Sequence, residues 1–423
     1  MPQDIRQPYS SSWTVGIQRD LGGQRAIEVR YNGNRTRQQW LAHNINEVNI
    51  FENGFLDEFK NAQKNLAINQ AAGVTSFANR GLPGQADLPI FTATGIAFNN
   101  TNAVNNLRNG AAGTLANTLA TNRDFACSMF GSAIPACGAS AGPGKGYPIN
   151  FWRANPFATG AASLMDDRGF SNYHGLQVEF RQRNWNGVSL NANYTLSKTM
   201  AVATQGGDFT AAYTQFTNRD LMASYAPALT DRRHVVHVSG TYDLPFGAGR
   251  RWLTDGVMEK IAGGWTVSTI VTFQSGTPFR ITGQNNTFNN LRDGGLILNG
   301  ITQQDIQDRI GLYYDQAGLP YYLPPDWIAQ VKADGSLASN NVPGTWGQIF
   351  YLHGPHQTFT DFGISKAVNI TGQVRFKFQT EILNAFNHPT FAQGTTALSS
   401  TQFGRANQTA TSRRIEFRFN LEF

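Results

Sequence analysis

Two pairs of histidines are the first candidates for chemistry in this sequence. His234 and His237 lie three residues apart in an alternating segment that predicts a β-strand. An odd spacing sends the two side chains to opposite faces of a strand, so they cannot share one metal ion unless the strand is bulged. His353 and His356 lie in a predicted loop, where they could converge on a metal. A hydrogen-bonded pair in a turn is the more common arrangement for such residues.

Carboxylates form the second group of candidates. Asp166 and Asp167 precede a predicted strand, and Asp231 stands before two arginines. Neighbouring carboxylates can serve acid–base catalysis or bind Ca²⁺, but solvated loop ends and salt bridges are the more frequent roles. The sequence contains no GxSxG, no HExxH and no phosphate-binding loop, and the GPGKG at 142–146 lacks a strand–loop–helix context. We therefore expect no catalytic residue, no cofactor site and no metal site, and we expect that the protein is not an enzyme.

Cys127 and Cys137 are the two cysteines of the chain, and they lie in a stretch rich in Gly, Ala and Pro. Two closely spaced cysteines in a loop suit a disulfide formed in an oxidising compartment. Two unpaired thiols are the alternative. A metal site would need more ligands than this stretch offers.

The composition favours strands and turns over helices. Charged residues make up 15% of the 423 residues, against roughly 25% in typical soluble domains. Aromatic residues reach 12%, and Gly is abundant at 43 residues, which suits strands joined by turns. The net charge of +6 is scattered without a basic run, so nucleic-acid binding is not expected. No stretch approaches the roughly 20 apolar residues of a membrane helix, although a membrane-spanning strand gives a weaker signal.

The C-terminal segment RRIEFRFNLEF shows the clearest pattern, because polar and apolar residues alternate to the last residue. Strict alternation predicts a strand. Charged residues on one face and large apolar residues on the other fit a strand between lipid and a wet lumen. The apolar positions are Ile415, Phe417, Phe419, Leu421 and Phe423.

The same alternation recurs in eight upstream segments, which brings the predicted strands to about nine. Their lengths are mostly close to the roughly 9–11 residues with which a tilted strand crosses a bilayer. We therefore predict an all-β fold, an antiparallel transmembrane β-barrel that is partial at about nine strands. The upstream segments are 12–20, 25–32, 176–183, 188–198, 234–244, 265–274, 360–366 and 374–382.

The connections between these segments alternate in order between short and long, as expected when all short turns lie at one end of a barrel. The link at 245–263 is of intermediate length and fits this alternation least well. The long connections, at 33–170, 199–232, 284–357 and 387–412, would be the extracellular loops. Within the first of them, 52–70 has one apolar face that includes Phe55, Phe59 and Leu66. This pattern predicts one helix, with Asn53 as its N-cap.

Several motifs along the chain resemble the barrel of Oar-like TonB-dependent receptors. The resemblance covers nearly the whole sequence and rests on the order and spacing of the motifs together. It is carried by FENGFLDEFKNAQKNLAIN, SNYHGLQVEFRQR, NANYTLSK, DRRH, YDLPFG, GGW, FQSGTPF and EILNAFNHPTF.

The resemblance implies an outer-membrane receptor that imports a ligand with energy from the TonB complex. Members of this family carry a signal peptide, a plug domain and a barrel of twenty-two strands. We therefore expect residues 1–423 to be a C-terminal portion of such a barrel, without the signal peptide, the plug and the N-terminal barrel strands. A surface-exposed β-rich adhesion or binding protein is the alternative.

The resemblance also implies the partners. They are outer-membrane lipid, the barrel-assembly machinery and the TonB complex, the last only through the missing N-terminal plug region. The terminal alternating strand resembles the signal that the assembly machinery reads, with Ile415, Phe417, Phe419, Leu421 and Phe423 on its apolar face.

Overall fold

The fold is dominated by one antiparallel sheet of nine long strands. The computed structural model describes residues 4–158, 162–202, 215–371, 374–408 and 412–422. The strands follow one another in the sheet in chain order, each antiparallel to the next, and the short strand Ala226–Pro227 pairs beside the fourth. They are β1 Tyr9–Gly22, β2 Arg25–Asn44, β3 Ser163–Trp185, β4 Val188–Val202, β5 His234–Asp243, β6 Trp265–Gln274, β7 Gln357–Thr371, β8 Val374–Leu383 and β9 Arg414–Glu422.

All nine predicted strands are present, and the antiparallel transmembrane fold class is confirmed. The sheet is open: in the described part of the chain, β1 and β9 form its two edges and do not pair with each other. All residues of β1 are exposed, and so are all but one of β9.

The pairing register separates an apolar face from a polar face. One row of directly paired residues runs across β1 to β6 and is apolar throughout, with Ile17, Val29, Val178, Tyr194, Val236 and Phe273. The neighbouring row is polar throughout, with Gln18, Glu28, Glu179, Asn193, His237 and Thr272. Because side chains alternate between faces along a strand, adjacent rows face opposite sides. The sheet therefore has one face suited to lipid and one suited to water.

The long connections all lie at one end of the sheet, as the alternation predicted, but their bounds differ. The first connection is 45–162 rather than 33–170, because β2 continues to Asn44 and β3 begins at Ser163. The β2–β3 register shifts between Thr36 and Gln39 and again between Gln39 and Leu41. Such bulges break period-two alternation, so the sequence pattern stops before the strand does. The other long connections are 203–233, 275–356 and 384–413, and we call the four the first to fourth insertions.

The first insertion is a helical subdomain, whereas the sequence pattern predicted one helix there. That helix is present, but it begins after the αL residue Gly54. Asn53 is not its N-cap residue; its side chain accepts a hydrogen bond from the Phe55 backbone N–H. The helices are α1 Phe55–Ala71, α2 Pro89–Thr94, α3 Thr101–Arg108, α4 Ala112–Thr121 and α5 Arg123–Phe130, followed by 3₁₀ turns at Pro135–Cys137 and Ala139–Ala141.

These helices share a hydrophobic core of their own. Phe55, Phe59 and Phe91 are fully buried in it together with Trp152. The Trp152 ring lies edge-on to Phe55 at 4.9 Å between centroids. The predicted apolar face of α1 is therefore buried within the insertion itself.

The third and fourth insertions share a second core. Phe279, Tyr322 and Leu352 of the third insertion pack with Phe391 and Phe403 of the fourth. Short paired strands support this core, at Pro278–Phe279 with Leu352–His353, Leu296–Leu298 with Leu337–Ser339, Tyr313–Tyr314 with Pro320–Tyr321, and Phe391–Gln393 with Ala406–Gln408. The remaining helices are α6 Gly256–Ala262, α7 Gln303–Gln307, α8 Pro325–Ala333 and the 3₁₀ turn Leu221–Ser224. Among the helices of the described residues, none has the length and apolar character required to cross a membrane.

Candidate functional site

A network of charged residues occupies the polar face of β2 and β3. Glu28 lies directly opposite Glu179 in the register, and like charges in that arrangement repel. Arg30 Nη2 lies 3.2 Å from Glu28 Oε1, and Arg181 Nη2 lies 3.6 Å from Glu28 Oε2. Arg181 also pairs with Glu179. The two arginines therefore offset the repulsion between the glutamates.

Amides and hydroxyls extend this network toward the neighbouring strands. Asn193 Nδ2 donates to Asn191 Oδ1 at 2.8 Å on β4. Asn32 Nδ2 donates to Gln177 Oε1 at 2.9 Å, and Asn32 Oδ1 accepts from Thr14 on β1. Such donors and acceptors suit a surface that contacts water or a polar solute.

The grooves that the sheet forms lie on this polar face. A groove of ≈ 670 Å³ runs over β3 to β6, and its lining includes Arg181, Asn191, Ser239 and Ser268. A further groove over β2 to β4 is lined by Glu28, Arg30 and their neighbours. The grooved face of the sheet is therefore polar, as expected of a barrel lumen.

The predicted histidine pairs are not brought together. His234 Nδ1 contacts the Tyr194 hydroxyl at 2.8 Å, whereas His237 Nδ1 contacts Thr272 Oγ1 at 3.0 Å on the polar face. His353 Nε2 lies 3.7 Å from Asp231 Oδ2. The ring of His356 instead lies against Phe273, with centroids 5.5 Å apart.

The carboxylate candidates have separate structural roles. Asp166 contacts Arg168 and His43, and Asp167 accepts a hydrogen bond from the Arg6 backbone N–H at 3.1 Å. Asp231 accepts from the Thr199 backbone N–H at 2.6 Å. Throughout the part of the chain that the structure describes, no group of three or more His, Cys, Asp or Glu side chains is arranged to hold a metal ion.

The insertions meet at the Glu47 carboxylate, a site that the sequence pattern did not indicate. Glu47 Oε1 accepts from Thr217 Oγ1 at 2.8 Å and from Asn289 Nδ2 at 2.7 Å, and Oε2 accepts from the Asn218 backbone N–H. These donors come from the second and third insertions, whereas Glu47 lies near the start of the first insertion. One carboxylate therefore joins three insertions into a single cap, which we call the loop cap.

Aromatic packing and close backbone contacts reinforce the cap. Phe51 of the first insertion packs on Phe288 of the third at 4.6 Å, and Phe288 stacks on Trp346 at 4.5 Å. The Gly113 N–H donates to the Asn286 carbonyl at 2.9 Å. A Cβ at Gly113 would lie 2.2 Å from the Asn289 carbonyl oxygen, so only glycine permits this approach.

The remaining sequence candidates lie far from the polar network. Cys127 and Cys137 are joined by a disulfide, with their Cα atoms 5.5 Å apart. Ile415, Phe417, Phe419 and Leu421 are exposed on the apolar face of β9. Phe423, the last residue of the predicted assembly signal, lies outside the described residues.

Comparison with known proteins places the fold in a family. The sequence model of the outer membrane beta barrel domain matches residues 1–416. The chain belongs to the outer membrane beta barrel domain family. It is therefore an outer-membrane protein, which agrees with the lipid-facing and water-facing sides of the sheet.

Solved structures similar to the chain are outer-membrane proteins. The outer membrane transporter YddB from Escherichia coli is 9% identical with a TM-score of 0.40, and the match covers 99% of this chain and 33% of that one. The pyoverdine outer membrane receptor FpvA from Pseudomonas aeruginosa PAO1, bound to pyoverdine, is 8% identical with a TM-score of 0.37, covering 99% and 30%. The chain thus spans about a third of their length. No curated protein sequence matches the chain.

Proposed function

We propose that this chain is the C-terminal portion of a TonB-dependent receptor barrel that takes up a ligand across the outer membrane. The observation that carries the proposal is the position of the loop cap at one end of a sheet whose grooved face is polar. A receptor of this class needs an outer surface that captures a solute and a wet path behind it. Family membership supports the membrane location, and the motifs quoted above support the receptor type.

The cap is suited to capture because its parts are fixed relative to one another. The Glu47 carboxylate, the Phe51–Phe288 contact and the shared core of the third and fourth insertions hold them together. Ordered loops present a binding surface at a lower entropic cost than mobile ones. The charged network around Glu28 and Arg181 then provides polar groups along the path.

The partners follow from the same proposal. Lipid covers the apolar face, and the barrel-assembly machinery reads the terminal strand through Ile415, Phe417, Phe419, Leu421 and Phe423. Energy from the TonB complex reaches the barrel through a plug region that is not contained in residues 1–423. The proposed role is transport rather than catalysis.

Solute depletion from growth medium tests the proposal, because it detects uptake of any solute and does not require a chosen ligand. The producing bacterium is compared with a strain from which the coding region for residues 1–423 is deleted, and with the complemented deletion strain. Mass spectrometry of the spent medium should reveal at least one compound whose depletion requires this region. That depletion should stop when an uncoupler collapses the proton-motive force.

Identical depletion in all three strains would contradict the transport proposal. Loss of surface attachment in the deletion strain, without any change in depletion, would instead support the adhesion alternative. A strain carrying Glu47→Ala provides a matched intermediate, because it disturbs the cap and leaves the sheet intact.

A further inference from the structure

A cavity in the first insertion has features that neither the fold nor the proposed transport path explains. It lies between the C-terminal part of α4, α5 and the segment 149–157, and its volume is ≈ 380 Å³. This size lies within the range of small-molecule sites. Most of its lining is apolar, including Phe130, Ile134, Trp152 and Phe157.

Two arginines interrupt this apolar lining, Arg123 and Arg153. Arg153 is 4% exposed. Its hydrogen bonds go to neutral oxygens: Nη1 donates to the Ala158 carbonyl at 3.0 Å, and Nη2 donates to Asn117 Oδ1 at 3.1 Å. Arg123 is exposed, and its Nε and Nη2 donate to the Ala136 carbonyl. Two cationic groups therefore line one apolar cavity, and their described hydrogen bonds all end on uncharged acceptors.

Two buried donors at this cavity also lack acceptors. Among the described residues, neither Arg153 Nε nor Trp152 Nε1 has a hydrogen-bond partner, and Trp152 is only 2% exposed. Buried donors are nearly always satisfied in native proteins, so two unpartnered donors on consecutive residues of the cavity lining point to a missing acceptor. Burial lowers the pKa of the Arg153 guanidinium, and no carboxylate acts against that shift. A bound anion would give the two N–H groups an acceptor and would place a negative charge beside the Arg153 guanidinium.

We propose that this cavity binds a small apolar carboxylic acid in its anionic form, with an aryl or short alkyl body. The apolar lining would receive the hydrocarbon body of the ligand. The unpartnered N–H groups of Trp152 and Arg153 would donate hydrogen bonds to its carboxylate. Arg123 would add positive charge at the mouth of the cavity. A guanidinium matches a carboxylate in both charge and geometry.

The disulfide has a defined place in this site. Cys127 lies in α5 between Ala126 and Phe130, and Cys137 follows Pro135 and Ala136. Ala126, Phe130, Pro135 and Ala136 all line the cavity. The disulfide therefore ties together two segments of one wall, and reduction should weaken binding. The site does not rest on the proposed transport function, because its occupancy is an equilibrium property of the insertion.

Binding of 3-phenylpropanoate to the full chain tests this proposal. The protein is held in lipid nanodiscs, since detergent would compete for an apolar cavity, and binding is measured by isothermal titration calorimetry. The uncharged isostere 3-phenylpropanamide serves as the ligand control. We expect the carboxylate to bind at least tenfold more tightly than the amide, and we expect Arg153→Met to remove that difference.

Further variants keep the test decisive if the buried Arg153→Met protein misfolds. Ala136 is exposed on the 3₁₀ turn, so Ala136→Trp should fill the cavity mouth without disturbing the fold, and it should reduce affinity at least tenfold. Arg80→Met, at an exposed site outside the cavity lining, should bind within twofold of wild type. Equal binding of acid and amide, undiminished binding by Ala136→Trp, or no binding by the wild type would each overturn the proposal.

Discussion

Glu47 and Asn289 are separated by 242 positions in the sequence, yet Asn289 Nδ2 donates to Glu47 Oε1 at 2.7 Å. Asn289 is fully buried, and its amide nitrogen also donates to the Phe216 carbonyl at 2.7 Å. A single amide group therefore contacts the first and second insertions from the third. We therefore expect the rigidity of the loop cap to depend on this pair.

The first prediction concerns Glu47→Ala, which removes the acceptor for three hydrogen bonds. Hydrogen bonds to a charged group contribute about 1.5–3 kcal/mol each, although not additively. We expect the local opening free energy of the cap to fall by about 2–4 kcal/mol. Hydrogen exchange at the amides of residues 215–233 and 286–290 should accelerate accordingly.

The control for this variant is Glu52→Ala. Glu52 pairs with Arg219 on an exposed surface, where an ion pair contributes roughly 0–1 kcal/mol. Hydrogen-exchange rates at the same amides should therefore change little in Glu52→Ala. Wild-type exchange rates in the Glu47→Ala protein would show that Glu47 does not join the insertions.

The second prediction concerns the two faces of β8. Phe376 pairs with Leu421 on the apolar face, whereas Gln379 pairs with Arg418 on the polar face. Phe376→Arg should lower the free energy of unfolding by roughly 2–4 kcal/mol, the cost of an arginine near the bilayer midplane. Gln379→Arg on the same strand should lower the free energy of unfolding much less, because its side chain contacts water.

Urea unfolding in liposomes measures the free energy of unfolding of both variants, each introduced into the proposed complete receptor rather than into residues 1–423 alone. Two further pairs repeat the test on other strands, with Val271→Arg against Asn193→Arg, and Phe417→Arg against Ser239→Arg. A similar loss of unfolding free energy on both faces would show that the apolar face does not contact lipid.

The strands could be predicted from sequence because each carries its own local pattern. In β9 the alternation of Phe417 and Phe419 with Arg418 needs no information from elsewhere in the chain. The extension of β2 to Asn44 was missed because Gln38 adopts a positive φ of 57° and the register shifts around it. At that point polar and apolar residues no longer alternate along the strand, so the sequence pattern does not show that the strand continues.

The loop cap was largely beyond prediction. Helices α2 to α5 are only 6–10 residues long, so each has too few turns for its apolar face to stand out in the sequence. Their stability comes from the shared core around Phe55 and Trp152 rather than from local preference. The Glu47–Asn289 contact and the orphaned donors of Trp152 and Arg153 arise only from tertiary packing. The local sequence pattern indicates neither the contact nor the unpartnered donors.

The third prediction concerns the disulfide between Cys127 and Cys137, which are ten residues apart. In protein isolated from the cell surface, non-reducing mass spectrometry should show the two cysteines in one cross-linked peptide pair. Their replacement by serine should cost the first insertion about 2–3 kcal/mol, from the loop-closure entropy of so short a loop. Complete alkylation of both thiols without prior reduction would contradict the prediction.

The fourth prediction concerns Glu58, whose carboxylate accepts from the backbone N–H groups of Ile90 and Phe91 at 3.0 and 2.8 Å. Burial raises the pKa of Glu58 above its ordinary value of 4.5, although these hydrogen bonds oppose the shift. A raised pKa means that the folded state binds more protons than the unfolded state, so stability falls as pH rises through this window. The stabilising contribution is thus complete below pH 4.5 and lost above the raised pKa.

Protease resistance of the first insertion as a function of pH measures this effect. The wild type should lose resistance as pH rises from below 4.5. Glu58→Gln should be less resistant overall, because Ile90 and Phe91 donate to separate carboxylate oxygens and the amide nitrogen would replace one of them. Its profile should also be flatter. Asp57→Asn, at an exposed neighbouring position, should keep the wild-type profile. A wild-type slope in the Glu58→Gln protein would assign the pH dependence to another group.

The last prediction is that residues 1–423 do not form a closed pore by themselves. In an antiparallel sheet of nine strands taken in order, β1 and β9 run in the same direction. They therefore cannot close on each other as antiparallel neighbours, and further strands must lie between them in a closed barrel. Each unpaired backbone group at an edge in hydrocarbon would cost several kcal/mol. We expect this chain, expressed with an added signal peptide, to show no heat-modifiable migration and no liposome swelling. A stable monomeric pore made of these residues alone would contradict this prediction and would require β1 and β9 to pair in parallel.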